Sequence, residues 1–212
     1  ASSRECDRGK MPLPQKFKFK QTVNSNFMSE QPDTLPALLK RNAERHGNSR
    51  VAIREKEFGI WQSTTWQGYF EQVRDFALGL HKLGFKRGDK MAYAGDNRPQ
   101  GLYAELAAQA LGGAILGIYP DSHLDQVEYI INHSDSIYVV AGDQEQADKV
   151  LELKSTCPRV KKVIVDDPKG LRHYDDPILA YFKDIQKLGR ELALEKPRLF
   201  DEMISGLTPD DV

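Results

Sequence analysis

The stretch GDKMAYAGDNRPQGLYAELAAQALGGAILGIYP, residues Gly88 to Pro120, has the pattern of one complete strand–helix–strand unit. Lys90–Gly95 and Ala114–Tyr119 are short apolar runs that each predict a strand. Between them, Pro99 suits the first turn of a helix, because the amide it lacks has no partner there. Apolar residues then recur at helical spacing, at Leu102, Tyr103, Leu106, Ala107, Ala110 and Leu111, before Gly112-Gly113. Parallel strands need such a crossover, so the stretch predicts an α/β fold with its ligand edge beyond the carboxyl ends of the strands.

Composition limits the class of protein. The chain has 212 residues, 40% hydrophobic and 29% charged, enough to bury a core and stay soluble. Its net charge of −1 gives no overall field for binding nucleic acid, so we expect no nucleic-acid partner. Cys6 and Cys157, the two cysteines, fit a reducing compartment. With no long apolar run and no secretory signal in the pattern, we expect a cytoplasmic protein.

The N-terminal arm, residues 1–33, carries little pattern. Phe17 and Phe19 alternate with lysines, which fits either a short edge strand or a loosely packed basic arm. We favour the loose arm, because chain termini are usually poorly ordered unless they dock. This arm is also the local feature that suggests a peripheral contact with a membrane.

The segments around the central unit continue an alternation of strands and helices. The predicted elements are a helix capped by Thr34 and ending at His46, hairpin strands 50–54 and 58–62, a helix from Thr64 or Thr65 to Gly84, a helix capped by Ser122, a strand 137–141, a helix 144–155 and a strand 160–165. This order is typical of a doubly wound, mostly parallel sheet with helices on both faces, here with an N-terminal β-hairpin.

Residues 168–212 do not continue the alternation of strands and helices. Residues 178–194 predict a helix that Pro197 ends, and residues 198–212 predict a loop. We therefore divide the chain into the arm 1–33, an α/β subdomain 34–167 and a helical and loop segment 168–212.

Three residues are candidates for substrate contact. Asn97 and Arg98 follow the first strand of the central unit, and Tyr119 ends its second strand, where open sheets place ligands. Arg98 has the geometry to meet a phosphate with two hydrogen bonds. The alternative, which we favour, is that Asn97-Arg98-Pro99 only turns the chain and caps the next helix, since Asn and Pro are turn formers.

Motifs of catalysis and metal binding are missing from the sequence. The five histidines do not cluster with cysteines at metal-ligand spacing, so we expect no metal site in this chain. No dinucleotide fingerprint, phosphate-binding loop or nucleophile elbow follows a predicted strand. The residues alone therefore offer no complete catalytic constellation.

The run from Ser63 to Pro120 resembles the first part of the adenylate-forming enzymes, and more narrowly the AMP-forming long-chain acyl-CoA synthetases, or fatty acid–CoA ligases. The resemblance is carried by Thr65-Trp66, by GLHKLGFKRGDK, by Asn97-Arg98-Pro99, by Gly112-Gly113-Ala114 and by Tyr119-Pro120, and it continues through SHLDQVEYIINHSDSIYVVAGDQEQADKVLEL. It covers about residues 34 to 212 and implies part of the large N-terminal domain of that fold.

The resemblance also implies a reaction. The family uses ATP and Mg²⁺ to adenylate an acid, here a fatty acid, and the thiol of coenzyme A then displaces AMP. A phosphate-binding loop should follow a segment like GLTPDDV, and no position here matches that loop, the metal-holding carboxylate or the catalytic lysine. We therefore expect an N-terminal fragment that is inactive alone, with no catalytic residue of its own.

The expected partners of such a fragment are the fatty acid and the remainder of its own chain, with a homodimer as one possible assembly. A stand-alone, non-catalytic α/β binding or interaction module is the alternative function.

Overall fold

The computed structural model describes residues 34–211, so the predicted arm 1–33 lies outside the described residues. In chain order the elements are α1 (Leu35–His46), β1 (Val51–Glu57), β2 (Ile60–Thr65), α2 (Trp66–Lys82), β3 (Lys90–Ala94), α3 (Pro99–Ala110), β4 (Ala114–Ile118), α4 (Leu124–Ser134), β5 (Tyr138–Ala141), α5 (Gln144–Glu152), a 3₁₀ turn (Leu153–Ser155), β6 (Lys162–Val165), β7 (Leu179–Tyr181), α6 (Phe182–Glu195) and α7 (Leu199–Ser205).

The main sheet has five parallel strands in the order β4-β3-β5-β6-β7. The predicted strand–helix–strand unit is confirmed as β3–α3–β4. Because β4 and β5 lie on opposite sides of β3, the strand order reverses at β3. The crevice beyond the carboxyl ends of β3 and β5 is therefore the place where open α/β sheets bind ligands. The predicted hairpin is confirmed as a separate antiparallel pair, β1–β2, but its turn lies at residues 58–59, because residues 55–57 continue β1 and pair with β2.

Each face of the sheet has its own apolar core. Alternate strand residues point to opposite faces, so Met91 and Ile164 join a cluster with α2, α3 and α6, while Ala92 and Val163 join a second cluster with α4 and α5. The predicted doubly wound arrangement, with helices on both faces, is confirmed. None of the described helices combines the length and the apolar character needed to cross a membrane.

Helices α2 and α6 approach each other backbone to backbone. A Cβ atom added at Gly79 would overlap the backbone of α6, and one added at Gly189 would overlap the carbonyl oxygen of Asp75. The buried carboxylate of Asp75 is met by Arg74 at 2.8 Å and by Arg190 at 3.3 Å. Two glycines and one paired carboxylate thus hold α6 against α2.

Two predictions about the C-terminal part are wrong. The helix predicted from residue 178 begins at Phe182, because Leu179–Tyr181 form β7 and pair in parallel with β6. A strand of three residues that runs directly into a helix leaves no periodicity of its own. The loop predicted for 198–212 contains α7, whose buried face packs on the α2 side of the sheet. The domain boundary at residue 167 stays a prediction. Within the described residues, β7 follows that boundary and pairs with β6, so both sides of the boundary contribute to one sheet.

The predicted N-cap residues of α1 and α2 are confirmed, and that of α4 is corrected. The Thr65 side chain accepts a hydrogen bond from the Gly68 amide at 3.0 Å, as a cap should. Thr34 holds the N-cap position of α1, as predicted, although its side chain makes no capping hydrogen bond. Ser122 is not the cap of α4, because His123 holds that position and donates its amide to the Gln126 side chain at 3.1 Å. Several capping residues in a row leave the helix start ambiguous in the sequence.

Candidate functional site

A pocket of about 710 Å³ lies between the β1–β2 hairpin and the β3–α3–β4 unit. This volume is in the range of small-molecule sites, roughly 300–1,000 Å³. Its apolar lining comes from Ile53, Trp61, Leu102, Ile115 and Leu116, and its polar lining includes Glu55, Tyr93, Asn97, Arg98 and Glu105. Apolar walls with a few polar groups are typical of sites for small organic ligands.

The turn after β3 brings the polar groups to the pocket. Arg98 holds the N-cap position of α3 with an extended backbone, as a residue before proline prefers, and Pro99 opens the helix. Below the turn, the ring of Tyr93 packs against Gly101, where a Cβ atom would come within 3.0 Å of the ring. The Tyr93 hydroxyl donates to the carbonyl oxygen of Asp96 at 2.8 Å, and burial raises the pKa of Tyr93 to about 12. Tyr93 therefore lines the pocket as a neutral side chain whose hydroxyl is held by a hydrogen bond.

Arg98 joins three elements through its guanidinium group. Its Nε lies 3.5 Å from Glu55 Oε1 on β1, and its Nη1 lies 3.5 Å from Asp166 Oδ2 after β6. The Asp166 side chain is 7% exposed, whereas those of Arg98 and Glu55 keep partial contact with solvent. Two carboxylates therefore neutralise the one cation, and the bridge ties the hairpin to the carboxyl edge of the sheet.

The ionisation of this bridge is perturbed. Burial raises the pKa of Asp166 to about 6, Arg98 opposes the rise, and the nearby charges of Asp167 and Glu55 add to it. Burial works against the charge of Arg98, but the carboxylates of Asp166 and Glu55 leave its pKa raised. A carboxyl group that titrates near neutrality beside a pocket is a recognised mark of a functional site.

The structure separates the three predicted site residues. Asn97 and Arg98 both line the pocket, Asn97 as an exposed residue of its rim. Tyr119 does not line it, because it lies past the end of β4, is 83% exposed and borders another cavity with Tyr129 of α4. The turn-forming interpretation is also confirmed in part, because the segment does start α3, although the Arg98 side chain makes no capping bond.

Sequence reasoning missed the two carboxylates of the bridge. Asp166 directly follows the predicted strand that became β6, so the rule about carboxyl ends of parallel strands gives a signal for it. Glu55 offers no such signal, since it meets Arg98 only through the folding of the hairpin over the sheet.

No group of three or more His, Cys, Asp or Glu side chains within residues 34–211 has the geometry to hold a metal ion. The bridge places two carboxylates beside Arg98, and the hairpin adds Arg54 and Lys56 to the rest of the pocket lining. The pocket therefore offers an apolar wall for a hydrocarbon group and charged groups beside that wall.

Residues 39–200 match the model of a family described as AMP-binding enzyme. The chain belongs to this family. The resemblance to adenylate-forming ligases predicted from the sequence is thereby confirmed.

Curated relatives of this AMP-binding family member include ligases. A long-chain-fatty-acid–CoA ligase (ACSBG2) of Xenopus laevis is 26% identical over 189 residues, which is 88% of this chain and 24% of the relative. The long-chain-fatty-acid–CoA ligase heimdall of Drosophila melanogaster is 27% identical over 161 residues, 74% of this chain and 23% of the relative. The chain thus spans about a quarter of the length of these relatives.

Solved structures share the fold. An acetoacetyl-CoA synthetase from Streptomyces lividans matches with a TM-score of 0.63 and 22% identity, over 71% of this chain and 24% of that one. A protein titled putative long-chain-fatty-acid CoA ligase from Rhodopseudomonas palustris matches with a TM-score of 0.60 and 24% identity, over 72% of this chain and 36% of that one. At these identities the likeness supports the predicted fold class and no finer property.

Proposed function

We propose that this chain is part of an ATP-dependent fatty acid–CoA ligase. The observation that carries the proposal is the family match over residues 39–200, together with curated relatives that are long-chain-fatty-acid–CoA ligases. Such a ligase joins a fatty acid to coenzyme A through an acyl adenylate, with ATP and Mg²⁺ as further participants.

In this proposal the described residues do not hold ATP, Mg²⁺ or coenzyme A. Arg98 is already neutralised by Glu55 and Asp166, and no cluster of metal-ligating side chains occurs within residues 34–211. Since the chain spans about a quarter of the relatives' length, we assign these groups to other parts of a longer protein. The 212-residue chain alone then forms no acyl adenylate.

We assign the pocket to the apolar part of the acid. Aliphatic and aromatic side chains of the hairpin, α3 and β4 form one wall, and the volume suits a substantial hydrocarbon chain. Arg98 is a positioning residue in this assignment, because its bridge holds the hairpin wall against the sheet. Asn97 supplies a polar group at the rim. The substrate contact predicted for Tyr119 stays a prediction, since Tyr119 lies outside this pocket.

The test is fatty-acid-dependent exchange between ATP and pyrophosphate. The assay compares the 212-residue chain with the product of the complete gene that encodes it, using fatty acids of increasing length. We expect exchange by the complete product with long-chain acids, and none by the chain alone.

Absence of exchange with every fatty acid would contradict the ligase assignment. If the complete product were this chain and it remained inactive, the stand-alone binding module would be the better interpretation. If the complete product is longer and the 212-residue chain alone still catalyses exchange, the reactive groups do not lie in other parts of the protein, and that assignment is contradicted.

A further inference from the structure

The β1–β2 hairpin ends in a protruding apolar tip. We define the hairpin tip as Lys56, Phe58, Ile60 and Trp61. Phe58 is 85% exposed, Ile60 64% and Trp61 63%, although each is a large apolar residue. Single exposed apolar residues are ordinary, but three at one hairpin end, on the turn and on both faces of β2, indicate an interaction site.

The conformation of the tip indicates that Phe58 does not serve the turn itself. Phe58 has φ 48° and Gly59 has φ 80°, so both central residues of the two-residue turn have positive φ. Such turns favour Asn, Asp or Gly, and a bulky residue at positive φ is strained. The Phe58 ring meets the Lys169 ammonium group at 5.3 Å and is otherwise presented to solvent. An aromatic ring in a strained and exposed position contributes little to the stability of the fold. Its presence therefore indicates contact with another molecule or surface.

The hairpin also separates its charges. Lys56 lies directly opposite Trp61, and Arg54 lies one pair further along the same face. Glu55 projects from the other face, where it meets Arg98, while Arg54 and Lys56 make no ion pair within residues 34–211. Arg54, Lys56 and the exposed Trp61 therefore share one face of the hairpin at the rim of the pocket, and the exposed Glu57 lies on the other face with Glu55.

We propose that the hairpin tip docks this chain on an anionic lipid surface. Phe58, Ile60 and Trp61 enter the interfacial layer, where aromatic side chains with an apolar body are favoured. Arg54 and Lys56 face the lipid phosphates, which attract basic residues near the surface. Lys56 and Trp61 also line the pocket, so docking places its mouth near the lipid.

A second copy of the chain is a poorer occupant for this surface. A two-fold interface centred on the hairpin tip would place the same patch against itself, and the cations of Arg54 and Lys56 would then oppose each other. The inference is independent of the proposed ligase activity, because lipid binding is measured without ATP or an acid substrate. It is also distinct from a membrane contact of the arm 1–33.

The experiment is flotation of the 212-residue chain with phospholipid vesicles. Vesicles of phosphatidylcholine alone are compared with vesicles that contain equal parts phosphatidylglycerol, at low and high salt. The test variant combines Phe58→Asn with Trp61→Ser. Asn tolerates the positive φ at residue 58, so the turn is expected to keep its fold, which circular dichroism checks. Leu194→Ser is the matched control, because Leu194 is 84% exposed on α6, away from the hairpin.

We expect the chain to float with the anionic vesicles and to be released by salt. The double variant should bind about tenfold less, and Lys56→Gln about fivefold less, while Leu194→Ser binds like the wild type. Failure of the wild type to bind would overturn the proposal. Equal binding by the double variant would also overturn it and assign the contact to another segment. A change of oligomeric state in the double variant, without vesicle binding by the wild type, would replace it with an interface between copies.

Discussion

Asp166 is a buried carboxyl group whose charge is only partly compensated. The 3.5 Å separation from Arg98 is longer than the 2.7–2.9 Å of a strong charge-assisted hydrogen bond. Burial therefore dominates, and the pKa of Asp166 rises from 3.8 to about 6. Arg98 shares its charge with Glu55, so the bridge orders the pocket wall without fully stabilising either carboxylate.

The pH dependence of stability follows from this residue. Since its pKa is higher in the folded than in the unfolded state, Asp166 stabilises the fold at a pH below its unfolded pKa of 3.8, and this contribution is lost as the pH rises through about 6. We expect Asp166→Asn to remove this pH-dependent decrease in the free energy of unfolding. The unfolding free energy of the variant, relative to the wild type, should increase by about 2 kcal/mol between about pH 4 and about pH 7.5.

Urea denaturation at the two pH values measures this difference. Asp175→Asn is the control, because Asp175 is an exposed carboxylate in the loop before β7. Equal differences from the wild type at both pH values for Asp166→Asn would show that the carboxyl group titrates normally.

The packing of α2 against α6 depends on the absence of a side chain at Gly189. A methyl group there would overlap the carbonyl oxygen of Asp75, which belongs to the backbone and has little freedom to move. We expect Gly189→Ala to lower the free energy of unfolding by about 1–3 kcal/mol or more, as overpacking does. Gly206→Ala is the control, since its added methyl group would lie 3.5 Å from its nearest neighbour and should change stability by less than about 0.5 kcal/mol. Equal stability of the two variants in chemical denaturation would contradict the close approach of the helices.

Elements with their own sequence pattern were predictable, and those that depend on distant contacts were not. Apolar runs bounded by glycine and proline indicated β3 and β4, and helical spacing indicated α3. In contrast, β7 is too short for a period, and its strand geometry comes from pairing with β6. The pocket shows the same division, since strand ends indicated Asn97 and Arg98, whereas Glu55 reaches Arg98 only when the hairpin folds over the sheet.

At the scale of the whole molecule, the described chain is a three-layer α/β unit with a hairpin beside one end of its sheet. The strand order reverses at β3, and the pocket opens between the β3–α3–β4 unit and that hairpin. The architecture therefore places an apolar cavity beside edge strand β4 and the turn after β3, and the bridge of Arg98 and Asp166 lies at the carboxyl ends of β3 and β6. We propose that this cavity binds the hydrocarbon chain of a fatty acid.

Quenching of tryptophan fluorescence by a fatty acid with bromine atoms on its chain tests this claim most directly. Of the two tryptophans, Trp61 lines the pocket and Trp66 packs beside His46 and Tyr69. We predict saturable quenching that Trp61→Phe largely removes.

Leu102→Arg should abolish the quenching, because it places a charged side chain in the apolar wall, whereas Leu194→Arg on an exposed face of α6 should preserve it. Quenching that does not saturate, or that survives Leu102→Arg unchanged, would contradict the account.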